Sequence, residues 1–311
     1  MSVTQITPTS DPATGDGGAP SQSAPSLSAV VELLKPITWF APMWAFACGV
    51  VSSGVSVAEN WVALLLGVLL AGPVVCGMSQ AANDWCDRHV DAINEPNRPI
   101  PSGRVPGRWG LWIALALSAA AFPLAWTLGP WVFGATALGV ALAWAYSAEP
   151  VRLKKSGWWG PAAVALSYEG LTWFTGAAAM LGALPRWEIV ALALLYSVGA
   201  HGIMTLNDFK AIDGDRRTGV RSLPATLGVD RAARLACAVM AVPQLVVVSL
   251  LIAWGLPLAA VVVAGLLAAQ FALMPRLLAA PKAQAPWYNA TGTSLYVLGM
   301  MASAVALGGT A

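Results

Sequence analysis

Apolar runs of membrane-spanning length recur along this chain, separated by short turns on one side and by longer polar segments on the other. A helix needs about 20 apolar residues to cross a bilayer. Runs approaching or exceeding that length occupy residues 37–57, 61–82, 109–128, 130–147, 158–181, 187–206, 232–253, 256–275 and 291–308. The pattern predicts an all-α polytopic membrane protein with about nine transmembrane helices in a bundle, capped by loops on one face. Residues 1–27 carry Ser, Thr, Pro, Gly and Ala in place of an apolar run. They read as a disordered tail rather than a signal peptide, which leaves residues 28–311 as a single membrane domain.

Composition agrees with that reading. Hydrophobic residues make up 57% of the chain and charged ones only 10%, and the mean hydropathy is +0.66. These values exclude an ordinary soluble domain. Nine spans place residues 1–36, 83–108, 148–157, 207–231 and 276–290 on one side. That side, with the first turn of the following helix, carries 16 of the 17 Lys and Arg residues, and only Arg186 falls opposite. The positive-inside rule makes that face cytoplasmic, with the amino terminus inside. The four cysteines show no paired spacing that would indicate disulfides or a zinc site.

Acidic residues cluster at two places. Asn83, Asp87 and Asp91 follow the second run at i, i+4 and i+8 and share one helical stripe. A second rim, Asn207, Asp208, Asp213 and Asp215, ends the sixth run 124 residues later. Oxygen ligands in such numbers suit Mg²⁺, which takes one or two carboxylates, retains waters and completes its shell with phosphate oxygens. Two such rims can grip one diphosphate. A cation-coupled transporter is the alternative from another class, but it calls for acids near span centres, where among the carboxylates only Glu169 is found. The loop Asn94–Gly103 is too rich in Pro and turn residues for a continuous helix and is expected to fold back over the first rim.

Four pieces in order carry a resemblance to a known family: Asn83 to Asp91 followed by Ala92-Ile93-Asn94-Glu95-Pro96; Arg98-Pro99-Ile100-Pro101-Ser102-Gly103; Tyr146-Ser147 with Pro150 and Arg152-Leu153-Lys154; and Asn207-Asp208-Phe209-Lys210 with Gly214-Asp215-Arg216 and Ser222-Leu223-Pro224. From about residue 30 onward the chain resembles the UbiA intramembrane prenyltransferase superfamily, and within it the chlorophyll and bacteriochlorophyll synthase branch. In one respect it departs from the superfamily pattern. Where many members carry a second Asp-x-x-x-Asp, Ala211 stands at the earlier acid and Asp215 at the later one.

The resemblance implies transfer of a geranylgeranyl or phytyl group from its diphosphate to the propionate carboxylate of a (bacterio)chlorophyllide. An aromatic prenyltransferase of quinone biosynthesis is the alternative within the superfamily. A bacterial inner or intracytoplasmic membrane is the expected location. The expected partners are the two substrates and the lipid bilayer, with room for other pigment-biosynthesis or photosystem-assembly proteins, and no nucleic acid. Asn83, Asp87 and Asp91 are expected to hold one Mg²⁺, and Asp208, Asp215 and Asp213 another. Asp87, Asp91 and Asp215 thereby become the catalytic acids. Arg88, Arg152, Lys154, Lys210 and Arg216 are candidates for diphosphate contact. Tyr146 and Tyr168, with Trp144, Trp173 and Phe174, are candidates to line the pocket of an allylic cation. His201 and Glu169 sit inside spans, where an ionisable side chain is costly. His201 either meets the macrocycle or bonds a neighbouring helix, and Glu169 either lines the pocket or pairs across spans.

Overall fold

The computed structural model describes residues 24–310. The expected tail therefore lies outside the described residues as far as position 23, and its end is the start of a helix. Ser26 caps α1 (Leu27–Leu34) by accepting the Ala29 N–H at 3.3 Å. Ala29 and Leu33 are one turn apart and both buried, so this short helix has an apolar face to set against its neighbours.

A 3₁₀ turn at Pro36–Trp39 leads into α2 (Phe40–Ser52). The next rod joins α3 (Trp61–Leu69), a π-helical stretch (Leu70–Cys76) and α4 (Gly77–Asn94) into 34 continuous residues. Pro73 lies inside the π stretch. It has no N–H to donate, and the wider turn accommodates its ring without breaking the rod. Then follow α5 (Trp109–Thr127), α6 (Pro130–Ser147), α7 (Trp159–Ala165), a second π stretch (Leu166–Leu171) and α8 (Thr172–Leu181). The second half comprises α9 (Trp187–Asn207), α10 (Ile212–Thr218), α11 (Leu223–Leu227), α12 (Val229–Ala253), α13 (Pro257–Ala279) and α14 (Pro281–Gly308).

Seven helical segments among the described residues are long and apolar enough to cross a membrane, fewer than the nine counted in the sequence. The two that fall short stand where the fourth and fifth spans are expected. α6 dilutes its apolar run with Trp144, Tyr146 and Ser147 at one end, and the α7–α8 rod is interrupted by a π stretch that carries Glu169.

Packing follows the rules of helices in lipid, where small residues let backbones approach and polar pairs act as glue. A Cβ on Gly49 would overlap the Trp173 carbonyl, and one on Gly176 would overlap that of Phe46, so α2 and α8 meet backbone to backbone. Trp173 stacks on Tyr196 at 5.7 Å and donates its indole N–H to Ser52 at 3.0 Å. Tyr196 in turn bonds Ser303 at 2.9 Å. Gln244 of α12 and Gln270 of α13 exchange amide hydrogen bonds of 3.1 and 2.9 Å, with both side chains fully buried.

At one end of the bundle a series of polar contacts joins the five charged segments. Lys35 reaches Asp84 at 2.6 Å, and Arg104 grips Glu32. Asp87 meets Arg152 and Lys154. Gly157 N–H donates to Arg221 O, and Arg221 N–H donates to Lys155 O, both at 2.9 Å. Lys282 pairs with Asp213 at 2.9 Å. Arg186 bonds instead to Leu307 O and Thr310.

Candidate active site

The first rim lies on α4, which runs unbroken to Asn94. Its three expected ligands take different partners. Asn83 donates its amide to Ser147 at 3.3 Å, Asp87 accepts from Arg152 at 2.9 Å and from Lys154, and Asp91 accepts from Arg98 at 2.9 Å. Arg98 also lies 3.5 Å from Asp84, which is 1% exposed and is bonded by Lys35. The Asn94–Gly103 loop thus turns back on α4 through Arg98. Every carboxylate of this rim thus has at least one cation beside it.

The second rim is built differently. α9 ends at Asn207, a 3₁₀ turn covers Asp208–Lys210, and Asp213 and Asp215 belong to the separate helix α10. Asp213 points outward to Lys282, which holds its carboxyl below the usual range. Asp215 turns inward and accepts the Ser222 hydroxyl at 2.6 Å. Burial pushes its pKa up, with the Ser222 hydrogen bond opposing the shift. Neither Asp208 nor Asp215 has an ion-pair partner among the described residues.

The rims converge at Tyr146. Its hydroxyl lies within electrostatic reach of Asp208, Asp87 and Asp215, and Asp208 within reach of Asp215. No three His, Cys, Asp or Glu side chains among the described residues are close enough to hold a metal by themselves. An all-protein cage therefore does not fit. What fits is a cation held by one or two carboxylates and completed by ligand oxygens, the arrangement Mg²⁺ favours. Asp208 and Asp215, free of ion pairs, are suited to it.

Of the expected anion-binding groups, Arg152 and Lys154 lie against Asp87. Burial pushes the Lys154 ammonium below the usual lysine range, and its contact with Asp87 only partly offsets this. Arg88 lies over its own Trp85 ring at 4.1 Å and donates to the Trp85 carbonyl. Lys210 and Arg216 are exposed, with Lys210 close enough for its charge to act on Asp208.

The aromatic set divides. Tyr168 accepts from Gln80 at 3.1 Å and lies 3.4 Å from Cys76 Sγ, so the two π stretches meet at its hydroxyl. Trp173 is consumed by the core, and Trp144 donates its N–H to Ser118 of α5 at 3.0 Å. His201 bonds the Trp158 carbonyl at 3.1 Å and tilts against its ring. It ties α9 to the turn before α7. Glu169 is buried, and its Oε2 has no partner. The positioning roles of Gln80, Ser147 and Ser222 were not foreseen. Ser147 and Ser222 each lie within a motif piece, whereas Gln80 had only its place one turn before Asn83 as a signal.

The family model for the UbiA prenyltransferase family matches residues 36–306. The chain belongs to that family. This prenyltransferase is 60% identical over 288 residues to the bacteriochlorophyll synthase 33 kDa chain of Cereibacter sphaeroides, an alignment that covers 93% of the prenyltransferase and 95% of that relative. Its fold is similar to that of a solved digeranylgeranylglyceryl phosphate synthase (TM-score 0.73, 19% identity, 90% and 98% of the two chains covered). It is also similar to a UbiA homologue from Archaeoglobus fulgidus bound to GPP and Mg²⁺ (TM-score 0.69, 17% identity, 86% and 99% covered).

Proposed function

We propose that this chain is a prenyltransferase of the bacteriochlorophyll synthase type. It esterifies the propionate of a (bacterio)chlorophyllide with a geranylgeranyl or phytyl group. The allylic C–O bond to diphosphate breaks, diphosphate leaves with the electron pair, and a carboxylate oxygen forms the ester bond. The observation that carries this reading is the 60% identity to a bacteriochlorophyll synthase chain along nearly the whole length of both proteins. The charges of Asp87, Asp208 and Asp215, each near enough to act on Tyr146, support setting the site there.

In this reading Asp208 and Asp215 would hold one Mg²⁺, and Asp87, with Asn83 and Asp91, would serve the first rim. When bound, Mg²⁺ neutralises negative charge building on the leaving group. Arg152 and Lys154 are released from Asp87 to grip phosphate oxygens, Arg through its planar fork and Lys as a point charge. The carboxylate nucleophile needs no general base, so positioning and electrostatics suffice. In the same reading the chain crosses a bacterial inner membrane nine times, with the α6 and α7–α8 segments as the fourth and fifth spans, and both rims lie on the cytoplasmic side.

The test is transfer by membranes containing the protein, supplied with geranylgeranyl diphosphate, Mg²⁺ and either a chlorophyllide or its propionate methyl ester. The free acid is esterified and the methyl ester is not. Prenylation of the methyl ester, or of 4-hydroxybenzoate in its place, overturns the reading. Orientation is read from Cys86, half-buried beside the first rim, in a background lacking the three buried cysteines. In sealed vesicles of known sidedness a thiol reagent should label it from the cytoplasmic side.

A further inference from the structure

The bases at the charged end of the bundle divide by whether the protein itself engages them. Lys35 pairs with Asp84, Arg104 with Glu32 and Lys282 with Asp213, and Arg276 lies over Trp287 with its Nε on Gln284. Arg231 and Arg234, at the start of α12, are exposed and enter neither an ion pair nor a side-chain hydrogen bond among the described residues. Asp230, the acid beside them, is exposed and pairs with neither. A cation in the first turns of a helix also opposes the helix dipole, whose positive end favours an anion there. Two guanidinium groups one turn apart thus stand where α12 itself calls for negative charge. Arg216, Arg217 and Arg221 are exposed as well, but they belong to the short polar helix α10 and the turn after it.

What meets the pair is set by the helix face it stands on. Arg231, Arg234, Ala238, Val242, Leu245 and Ile252 are all exposed, and their spacing puts them on one stripe of α12. Val242, Leu245 and Ile252 are 56%, 50% and 60% exposed. α12 is one of the helices long and apolar enough to cross the membrane, so this stripe faces hydrocarbon and its first turns reach headgroup level. An arginine stem lies against apolar surroundings while its guanidinium stays at the polar boundary. Ala238, one turn below Arg234, presents only its Cβ and leaves room for a hydrocarbon chain against the helix. A soluble anion has no use for that apolar surface, and a zwitterionic lipid brings an ammonium of its own to a place already rich in cations. We propose that Arg231 and Arg234 form a binding site for an anionic phospholipid. Its phosphodiester is held between the two guanidinium forks, and an acyl chain runs along Ala238 and Val242. This site goes beyond the reaction proposed above and does not depend on it.

The full-length protein, purified in mild detergent and freed of lipid, tests this by titration with phosphatidylglycerol or with phosphatidylcholine of the same acyl chains, the bound lipids being counted by native mass spectrometry. One arginine facing an anionic lipid corresponds to about a fivefold change in binding, and two to about 25-fold. The first phosphatidylglycerol should therefore bind about 25-fold more tightly than the first phosphatidylcholine. Arg231→Gln and Arg234→Gln should each reduce that preference about fivefold, and the double variant should abolish it. Arg217→Gln, on α10, should leave it within about twofold. Affinity for phosphatidylcholine should be the same in every variant, which separates loss of the site from loss of the fold. Inorganic phosphate at millimolar concentration should not displace the lipid, because it has no chain to lay on the stripe. Equal affinity for the two lipids, a preference that survives in the double variant, an equal loss in Arg217→Gln, or displacement by inorganic phosphate each overturns the inference.

Discussion

The two acidic rims have opposite electrostatic designs. On α4 every carboxylate is matched by a base: Asp84 by Lys35 and Arg98, Asp87 by Arg152 and Lys154, and Asp91 by Arg98. At the end of α9 the helix breaks, and among the described residues neither Asp208 nor Asp215 forms an ion pair, Lys210 acting on Asp208 only from a distance. A balanced rim is stable on its own and exchanges partners when an anion arrives. An unbalanced rim stores charge that a metal ion relieves on binding. A site that must accept a diphosphate and Mg²⁺ together is served by having one rim of each kind.

The largest effect expected from breaking this contrast is at Asp87. Asp87→Asn removes a carboxylate that the first rim would offer to the metal once Arg152 and Lys154 have turned to the phosphate, so transfer should fall by about three orders of magnitude. The quantity to measure is esterified product per mole of membrane-inserted protein. Near-normal turnover at limiting Mg²⁺ would remove Asp87 from the site.

A sharper comparison lies inside the second rim. Asp215→Ala should cost about a hundredfold in transfer rate. Asp213→Ala should stay within about threefold, because it breaks only an exposed ion pair that solvent screens. Equal losses at saturating acceptor would mean that the assignment of Asp215 over Asp213 is wrong.

The smallest effect is on pH dependence. Burial raises the Asp215 pKa, so as the pH falls Asp215 takes up a proton before an ordinary carboxylate would. Metal binding needs the carboxylate. The Mg²⁺ concentration for half-maximal transfer should therefore rise as the pH is lowered from neutral, and Asp215→Asn should flatten that rise. Asp213, held low by Lys282, remains charged throughout and contributes no such slope.

Much of this architecture is legible in the sequence, because the bilayer enforces it. A lipid-facing helix must be apolar along its length, so the helical, membrane-spanning character of the chain is readable directly, although seven rather than nine segments among the described residues are long and apolar enough to cross and the second runs on to Asn94. The contacts among the five charged segments are consistent with their placement on one side. What was not legible depends on distant pairings. The bonds from Asp87 to Arg152 and Lys154 span 65 and 67 residues and cannot be seen in the spacing of one motif. α1 begins within residues that read as tail, with Ser26 as the one local signal. The first π stretch has Pro73 as its marker, but the second contains no proline. Trp173 is a candidate cation shield by residue type, yet its indole N–H is used on Ser52 deep in the core.

The buried amide pair of Gln244 and Gln270 bears on biogenesis. Each amide alone in hydrocarbon would leave donors and acceptors unmet at a cost of several kcal/mol. Joined, each serves as the other's solvent. α12 and α13 are therefore most economically delivered to the bilayer together, as a hairpin zipped at its midpoint. A nascent chain cut between them would expose Gln244 to lipid, making it a mark by which membrane quality control can recognise an unfinished copy.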